Sequence, residues 1–310
     1  MKVCFIGLGS IGKRHLKNIS SIFKSTNETL EMHALRRKSS SSLPSDVESL
    51  ITKSVYNYQD LDSHYDAIFI TNPTDLHYQT IMDVQNLSDN FFIEKPLFNT
   101  LSYDISKISK DKTFYIAAPL RFTNVIQEVK KLIENLNIYS VRSISSSYLP
   151  DWRPGVDYTK VYSAHKDMGG GVCIDLIHEW DYLTYLFGFP ENIYMFADKL
   201  SNLDIDSEDL AIYIAKYKDK MIELHLDYFG RKTQRSMELF TRDKVIFADI
   251  CNSRITFSDS TPTMEFKEDP NDKYLREMQY FIDLCKHKCE SINNIDHAIS
   301  VLKLTKNRGE

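Results

Sequence analysis

The N-terminal segment KVCFIGLGSIGKRHLK, residues 2–17, constrains the fold of this chain more than any other stretch. A short apolar run, Val3 to Ile6, leads into Gly7, Gly9 and Gly12, and residues typical of a helix follow. With this G-x-G-x-x-G spacing, one glycine makes a tight turn, one admits a pyrophosphate close to the backbone, and one lets the helix pack on the strand. The free amides at the helix start then bind phosphate. The pattern predicts a dinucleotide site that includes Gly7, Gly9, Ser10, Ile11 and Gly12.

The strand–turn–helix pattern recurs along the first 120 residues. DAIFITNPTDLH (66–77), FFIEKP (91–96) and TFYIAAPL (113–120) each carry a short apolar run that ends in a turn. Such alternation predicts a doubly wound parallel sheet, whose strands bring their carboxyl ends to one edge. That edge would gather Asn72, Pro73, His77, Glu94 and Lys95 beside the cofactor. A solvated ion pair at a loop start is the simpler interpretation of Glu94 and Lys95.

The residues after the second strand bear on the choice of cofactor. A site selective for NAD usually has Asp or Glu there, which binds the ribose 2′-hydroxyl. This chain has Arg36 and Arg37, followed by Lys38 and the serines 39–42. Because a guanidinium can bind a 2′-phosphate through paired hydrogen bonds, the sequence favours NADP over NAD. The alternative is a solvated basic loop, and the serines are typical of a mobile loop.

The rest of the chain, from residue 121 onward, indicates a second domain. Between residues 191 and 250 several segments alternate polar and apolar residues and are separated by turns, which is typical of an antiparallel sheet. We therefore expect an α/β protein: an N-terminal Rossmann domain with a doubly wound parallel sheet, residues 1–120, followed by an α+β domain with a mostly antiparallel open sheet, residues 121–310.

Composition excludes several classes of protein. A net charge of −5 gives no general affinity for polyanions, so nucleic acid is not an expected partner. The five cysteines form neither a CxxC pair nor an even disulfide framework, and the segment Cys285–Cys289 lacks a second ligand pair, so we expect no metal site. No apolar run approaches the ~18 residues of a membrane helix, and we expect no signal peptide because the apolar run in the opening MKVCFIGLG is short and soon interrupted by glycine. We expect a cytoplasmic protein with no membrane partner.

The order of these motifs resembles one known family. GLGSIGKRH (7–15), TNPTDLH (71–77), IEKPL (93–97), PLRF (119–122) and GGGVCIDLIHEWDYLTYLFG (169–188) are similar to motifs of the glucose-fructose oxidoreductase / inositol dehydrogenase / MocA family. The resemblance spans nearly the whole chain. It implies an NAD(P)-dependent oxidoreductase acting on a sugar, cyclitol or related carbonyl, with a substrate domain whose open sheet often forms a homodimer or homotetramer.

The resemblance also implies three catalytic residues: Lys95, Asp175 and His178. Lys95 would hold the reacting hydroxyl, and histidine suits proton transfer because its ordinary pKa of ~6.5 lies near working pH. Asp175 and His178 are three residues apart, whereas most members of the family space them by four. In one helix either spacing leaves both side chains on one face. A histidine in an aromatic-rich helix is otherwise more often a buried structural residue.

Substrate contacts are expected from the aromatic segment at residues 147–168. Trp152 and Tyr158 could stack on a sugar, while Arg153, together with Arg121, could bind a carboxylate or phosphate. This segment could equally pack only against the nucleotide domain. Its likeness to a branch associated with bacterial surface-sugar synthesis suggests an acidic sugar or a nucleotide-activated sugar as the substrate.

Two other functions remain open from the sequence. A redox-cycling epimerase or lyase would convert its substrate with no net change in NADPH. A non-catalytic NADP-binding regulator would bind the cofactor, but Lys95→Ala would affect no activity.

Overall fold

A computed structural model describes residues 1–38, 42–287 and 289–306, so three of the four serines expected to form a loop at 39–42 lie outside the described residues. Within those ranges no helix is long and apolar enough to cross a membrane. The chain divides into two units. The first consists of Met1–Pro119 and Asn271–Ile299, and the second of Leu120–Pro270 with the described residues from Ser300 onward.

Strands and helices both occur in each unit. In chain order the strands are β1 (Lys2–Ile6), β2 (Glu31–Leu35), β3 (Lys53–Val55), β4 (Ala67–Ile70), β5 (Asn90–Ile93), β6 (Thr113–Ile116), β7 (Ile138–Tyr148), β8 (Asn192–Asp198), β9 (Leu210–Lys216), β10 (Met221–Asp227), β11 (Phe229–Thr241), β12 (Val245–Asp249), β13 (Arg254–Phe257) and β14 (Met264–Glu265). The helices are α1 (Ser10–Thr26), α2 (Ser45–Glu48), α3 (His77–Val84), α4 (Asn124–Ile133), α5 (Val172–Asp175), α6 (His178–Phe187), α7 (Asp272–Cys285) and α8 (Ile295–Lys306).

The first unit is built on a six-stranded parallel sheet with the order β3-β2-β1-β4-β5-β6. Strand β4 and residues 91–93 of β5 are apolar and buried, as expected when helices cover both faces of a parallel sheet. Strand order reverses at β1, and ligands bind at the carboxyl edge beside such a switch point. The predicted Rossmann sheet is confirmed.

The C-terminal segment 271–299 groups with the first unit, whereas the sequence interpretation included it in a second domain at 121–310. The buried carboxylate of Glu277 in α7 accepts hydrogen bonds from the Tyr115 hydroxyl (3.0 Å) and the Ala118 amide (2.5 Å). Asn293 exchanges two hydrogen bonds of 2.9 Å with Ile116, using its backbone carbonyl and its side-chain amide. These bonds satisfy polar groups at and beyond the end of β6, so the segment completes the edge of the parallel sheet.

The second unit is built on an eight-stranded sheet with the order β14-β13-β12-β11-β7-β10-β9-β8. Its pairings are antiparallel except for β7 with β10, which is parallel, so the predicted mostly antiparallel sheet is confirmed. On β8 and β9 buried and exposed residues alternate strictly over most of the strand, which is typical of a sheet with one covered face. Helices α5 and α6 contribute Ile174 and Trp180 to the buried interior of this unit.

Candidate dinucleotide site and catalytic residues

The glycine turn of the first unit is closely packed at two of its three glycines. Gly7 has a φ of +92°, and a Cβ atom there would lie 2.8 Å from the Cα atom of Asn72. A Cβ atom on Gly12 would lie 2.5 Å from the Gly7 carbonyl oxygen and 2.6 Å from the Thr71 hydroxyl oxygen. Only glycine fits at these two positions, because they bring the ends of β1 and β4 and the start of α1 together.

Gly9 differs from the other two glycines because its Cα faces open space. No described heavy atom lies within 4 Å of an ideal Cβ at this position. Gly9 immediately precedes the 17-residue helix α1, whose first amides receive no cap from any described side chain. Uncapped amides and the helix dipole favour an anion. The arrangement therefore fits a pyrophosphate held over Gly9, as the sequence predicts.

A cavity of about 640 Å³ opens beside this turn. Of the predicted cofactor residues, Gly7, Gly9, Arg36, Arg37, Asn72 and Pro73 line it, while Ser10, Ile11 and Gly12 form the first turn of α1 instead. Lys13, Tyr56 and Gln79 also line the cavity, and the sequence analysis did not name them. Lys13 directly follows the third glycine, so its position in the motif could have identified it as a residue of this cavity. Tyr56 and Gln79 lie in no motif that would have identified them.

Glu94 and Lys95 follow β5 at the carboxyl edge of the parallel sheet. The Glu94 side chain is 12% exposed, and its Oε1 atom lies 2.5 Å from Nε2 of His15. Burial opposes ionisation of Glu94, but the hydrogen bond to His15 and attraction to His15 and Lys95 outweigh it and keep the pKa of Glu94 below its ordinary value. The other oxygen accepts a 3.3 Å hydrogen bond from the Lys95 amide. The carboxylate thus fixes the start of the Glu-Lys-Pro turn.

His77 does not offer the cofactor contact predicted from the sequence. Its side chain is buried, and its two ring nitrogens each lie 3.0 Å from a backbone carbonyl oxygen, those of Leu97 and Asn72. Burial lowers the pKa of His77, so the neutral ring, which can donate to one carbonyl at a time, is favoured. His77 instead links the turn after β4 to the turn after β5.

Asp175 and His178 do not share the single helix that the sequence predicts. Helix α5 ends at Asp175, and α6 begins at His178. Between them the Ile177 amide bonds to the Ile174 carbonyl and the Glu179 amide to the Leu176 carbonyl, three residues back in each case. This tightening interrupts the α-helix. Asp175 is therefore the last residue of one short helix, and the half-buried His178 is the first residue of the next.

The glycines before α5 allow a close approach between this helix and neighbouring segments of the second unit. A Cβ atom on Gly170 would lie 2.1 Å from the Tyr162 carbonyl oxygen, and one on Gly171 would lie 2.4 Å from the Glu208 carboxylate. The backbone of α5 is thereby held against the segment at 147–168 and against residues before β9. This packing sets where the second unit presents Asp175.

The carboxylate of Asp175 is buried against aromatic hydroxyls. The Tyr228 hydroxyl donates a 2.6 Å hydrogen bond to its Oδ2 atom. Burial, reinforced by the charge of Asp175, raises the pKa of Tyr228 well above its ordinary value and raises that of Tyr162 as well. Both tyrosines therefore stay protonated and act as donors. Trp152 packs edge-on against Tyr228 with ring centroids 5.2 Å apart.

Of the predicted substrate residues, Trp152, Arg153 and Tyr158 are at least partly exposed, whereas Arg121 is buried. Its side chain is buried, and its guanidinium binds Asp181 through two hydrogen bonds of 2.8 and 2.7 Å. The predicted substrate contact of Arg121 is thus replaced by an internal ion pair, because a buried guanidinium needs a carboxylate partner. Arg153 is exposed, Trp152 is 36% exposed, and the Tyr158 hydroxyl accepts a 3.2 Å hydrogen bond from the Asp204 amide.

The sheet order, the glycine turn and the cavity beside it define a dinucleotide-binding protein of the Rossmann class. Comparison with family models gives the more specific assignment. Residues 1–108 match the model described as "Oxidoreductase family, NAD-binding Rossmann fold", and residues 126–244 match the GFO/IDH/MocA C-terminal domain. The chain belongs to the Gfo/Idh/MocA oxidoreductase family, which confirms the resemblance found in the sequence.

Similar proteins include characterised and uncharacterised oxidoreductases. Over 191 residues the chain is 29% identical to the uncharacterized oxidoreductase YrbE of Bacillus subtilis (strain 168). This match covers 59% of this chain and only about half (52%) of YrbE. It is 24% identical to the myo-inositol 2-dehydrogenase of Thermotoga maritima over 91% of this chain and 87% of that enzyme. The structure of levoglucosan dehydrogenase in complex with NADH and levoglucosan shares the fold, with a TM-score of 0.80, 16% identity, and coverage of 99% of this chain and 95% of that one.

Proposed function

We propose that this protein is an NADP-preferring dehydrogenase that transfers a hydride between the nicotinamide and a hydroxyl or carbonyl group of a sugar, a sugar acid or a nucleotide-activated sugar. The observation that carries the proposal is the position of Lys95. Lys95 follows β5 at the carboxyl edge of the sheet, two strands from the glycine turn after β1. Lys95 is not among the residues that line the cavity, so we assign its ammonium to the nicotinamide end of a dinucleotide that extends along this edge of the sheet.

The chemistry requires the hydroxyl to lose a proton and its carbon to lose a hydride. A bound nicotinamide supplies the hydride acceptor. We assign the proton to His178, which is half-buried and begins α6, and we assign stabilisation of the alkoxide-like oxygen to the Lys95 ammonium. To Asp175, whose carboxylate accepts the Tyr228 hydroxyl, we assign the role of orienting the imidazole or stabilising its charged form. In the reductive direction the same groups act in reverse.

The preference for NADP rests on charge. Arg36 takes the place at which NAD-selective sites usually carry a carboxylate, and Arg37 and Lys13 line the same cavity. Three cations against one carboxylate, that of Asp83, leave this cavity with a positive balance, which suits a 2′-phosphate that adds about two negative charges to the cofactor. The backbone of Arg36 is fixed by a hydrogen bond of 2.9 Å from its amide to the Val55 carbonyl.

A sugar-like substrate is supported by the second unit. Trp152 presents a partly exposed ring near Tyr228 and Asp175, and Arg153 is exposed beside it in sequence. An aromatic face with a neighbouring guanidinium suits a polyhydroxylated ring bearing an acidic group. Two of the similar proteins are named for myo-inositol and levoglucosan, which are both polyhydroxylated rings. In this division of roles the first unit binds the dinucleotide and the second binds substrate.

We further propose that a second copy of this chain covers the open face of the eight-stranded sheet. On that face Tyr194 pairs across the sheet with Ile214, and Phe196 pairs with Ile212; Phe196 is 75% exposed. Beyond these apolar residues Arg142 pairs with Glu223 and Glu238. An apolar patch with charges of both signs at its border is suited to binding its own copy.

Loss of Lys95 or His178 tests the assigned chemistry. We expect Lys95→Ala and His178→Ala each to lower kcat by at least ~100-fold, because each removes a placed charge or proton-transfer group. Turnover is followed by NADPH absorbance with a panel of myo-inositol, levoglucosan, UDP-N-acetylglucosamine and their keto or acid forms. The exposed Lys107→Ala and His64→Ala serve as matched controls and should keep wild-type rates. Wild-type rates in both site variants would place the chemistry elsewhere.

Reversal of charge at Arg36 tests the cofactor preference. We expect Arg36→Asp to raise the Kd for NADPH by at least ~10-fold, since a carboxylate repels the 2′-phosphate, and to change the Kd for NADH by less than ~3-fold. Fluorescence titration measures both. Arg242→Asp, at a 78% exposed position of the second unit, is the control and should change neither. Equal weakening of both cofactors by Arg36→Asp would remove the argument for a 2′-phosphate site.

Charge on the open sheet tests the oligomer. We expect light scattering to give a multiple of 36.1 kDa for the wild-type protein and the monomer mass for Phe196→Asp, because a carboxylate there would be buried without a partner in the assembly. Leu101→Asp, at an exposed apolar residue of the first unit, should leave the mass unchanged. A monomeric wild-type protein, or a Phe196→Asp variant with the wild-type mass, would contradict this assignment.

A further inference from the structure

His15 in α1 is completely buried and lies one turn beyond the glycine turn. Its Nε2 atom is 2.5 Å from Oε1 of Glu94, on a strand end 79 residues away in the sequence. No described atom bonds to its other ring nitrogen, Nδ1. Because a carboxylate oxygen can only accept, Nε2 is the donor in this contact. The single bond that the ring makes is therefore directed at the Glu-Lys-Pro turn.

The ring of His15 is held in place from two sides. Phe92 of β5 contacts it edge-on with centroids 4.7 Å apart, and Tyr274 of α7 lies at 6.1 Å. Arg14 packs over the Tyr274 ring at 4.6 Å. Helix α7 belongs to the segment 271–299, so the C-terminal part of the chain covers the His15–Glu94 pair. With its ring packed this way, His15 can only orient Glu94 and cannot reach a ligand.

We propose that His15 is a positioning residue that acts through Glu94 to hold Lys95 in its reactive place. The inference rests on the proposed role of Lys95. Oε1 of Glu94 is bound by His15, and Oε2 accepts the amide of Lys95, so one carboxylate connects α1 to the backbone of the lysine. Without the imidazole the carboxylate keeps only the weaker of its two bonds and can rotate. The Glu94 amide would still bond to the Ile70 carbonyl, but Lys95 would lose a fixed acceptor for its amide and a fixed neighbouring charge.

Ionisation of Glu94 depends on this arrangement. The charged or titratable groups that face it are His15 from α1, His77 from α3, the adjacent Lys95, and Tyr274 from α7. Burial by itself would raise the pKa of Glu94, and the bond to His15 is the largest effect that lowers it below the ordinary value near 4.5. Removal of His15 therefore lets Glu94 take up a proton at higher pH. Because Lys95 then loses its carboxylate neighbour, the loss of activity on the acid side of the pH profile should begin at a higher pH in the variant than in the wild type.

The test compares three variants by steady-state kinetics with the panel substrate on which the wild-type enzyme is most active. We expect His15→Leu to lower kcat by about 10-fold, less than the ~100-fold expected for direct loss of a charge-stabilising group, with the Km for NADPH within ~3-fold. The acid limb of its pH profile should move to higher pH. His15→Gln, whose amide can donate in place of Nε2, should return kcat to within ~3-fold of wild type.

The control is His33, another buried histidine of the first unit that bonds to a carboxylate, that of Glu31 at 2.8 Å, but lies within β2. His33→Leu should leave kcat and the pH profile unchanged. A His15→Leu enzyme with a wild-type pH profile, or one whose loss of kcat equals that of His33→Leu, would overturn the proposal. If His15→Leu does not fold, Glu94→Gln tests the same link. It removes the titrating carboxylate, so kcat should fall and the acid limb of the pH profile should no longer depend on Glu94.

These outcomes are separable from failure of the proposed function. If Lys95→Ala keeps wild-type turnover, the role of Lys95 is wrong and the inference fails with it. If Lys95→Ala is inactive while His15→Leu keeps the wild-type kcat and pH profile, only the role of His15 is wrong. NADPH fluorescence should give the same Kd for wild type and His15→Leu, since His15 has no atom exposed to the cofactor cavity.

Discussion

The close approach of two parallel strand ends underlies the arrangement of the first unit. At Gly7 the chain after β1 passes so near Asn72, after β4, that a Cβ atom would lie 2.8 Å from the Asn72 Cα atom. This contact brings the Asn72 backbone to the cavity wall, and the buried His77 ring packs between the Asn72 carbonyl and the Leu97 carbonyl beyond the Glu-Lys-Pro turn, 3.0 Å from each oxygen. The position of Lys95 thus depends on packing that starts at a glycine 88 residues earlier.

The functional groups of the two units are held by different means. In the first unit the strand ends fix the backbone around the site. Of the two buried histidines there, His77 contacts backbone carbonyls and His15 bonds to the Glu94 carboxylate. In the second unit Asp175 and His178 lie at the end and the start of two helices, and the three-residue spacing between them coincides with the break. The carboxylate of Asp175 is anchored by the Tyr228 hydroxyl at the boundary of β10 and β11. Where the spacing between Asp175 and His178 departs from that common in the family, the aspartate is thus held by its hydrogen bond to Tyr228.

The nucleotide-binding half was predictable because its signals are local. Apolar runs that end in Gly, Asn-Pro or Lys-Pro mark buried strands and their carboxyl ends, and the strand order follows from the family's connections. Strand β7 was not predicted. It carries serines at many positions, and Ser143, although completely buried, is accommodated because its hydroxyl bonds to that of Tyr182 at 2.9 Å. Hydrophobic periodicity does not reveal a strand in which serines occupy part of the buried face.

The other departures from the sequence interpretation involve contacts between residues far apart in the chain. The sequence does not show that Asp181 binds Arg121, so an arginine in a family motif is interpreted as a ligand contact. It does not show that Glu277 and Asn293 complete the edge of β6, so the C-terminal helices are assigned to the domain that precedes them. Residues whose role depends on such pairing can be assigned only from the fold.

The central claim is that the space over Gly9 is where the dinucleotide phosphates bind, and Gly9→Val tests it most directly. The backbone at Gly9 has a φ of −67°, and no described atom lies within 4 Å of the added Cβ, so the variant should unfold at the wild-type temperature. Its side chain would occupy the phosphate position. Isothermal calorimetry should show a loss of affinity of at least ~100-fold for both NADH and NADPH, because a pyrophosphate can no longer approach the backbone. Wild-type affinity for either cofactor in this folded variant would contradict the account.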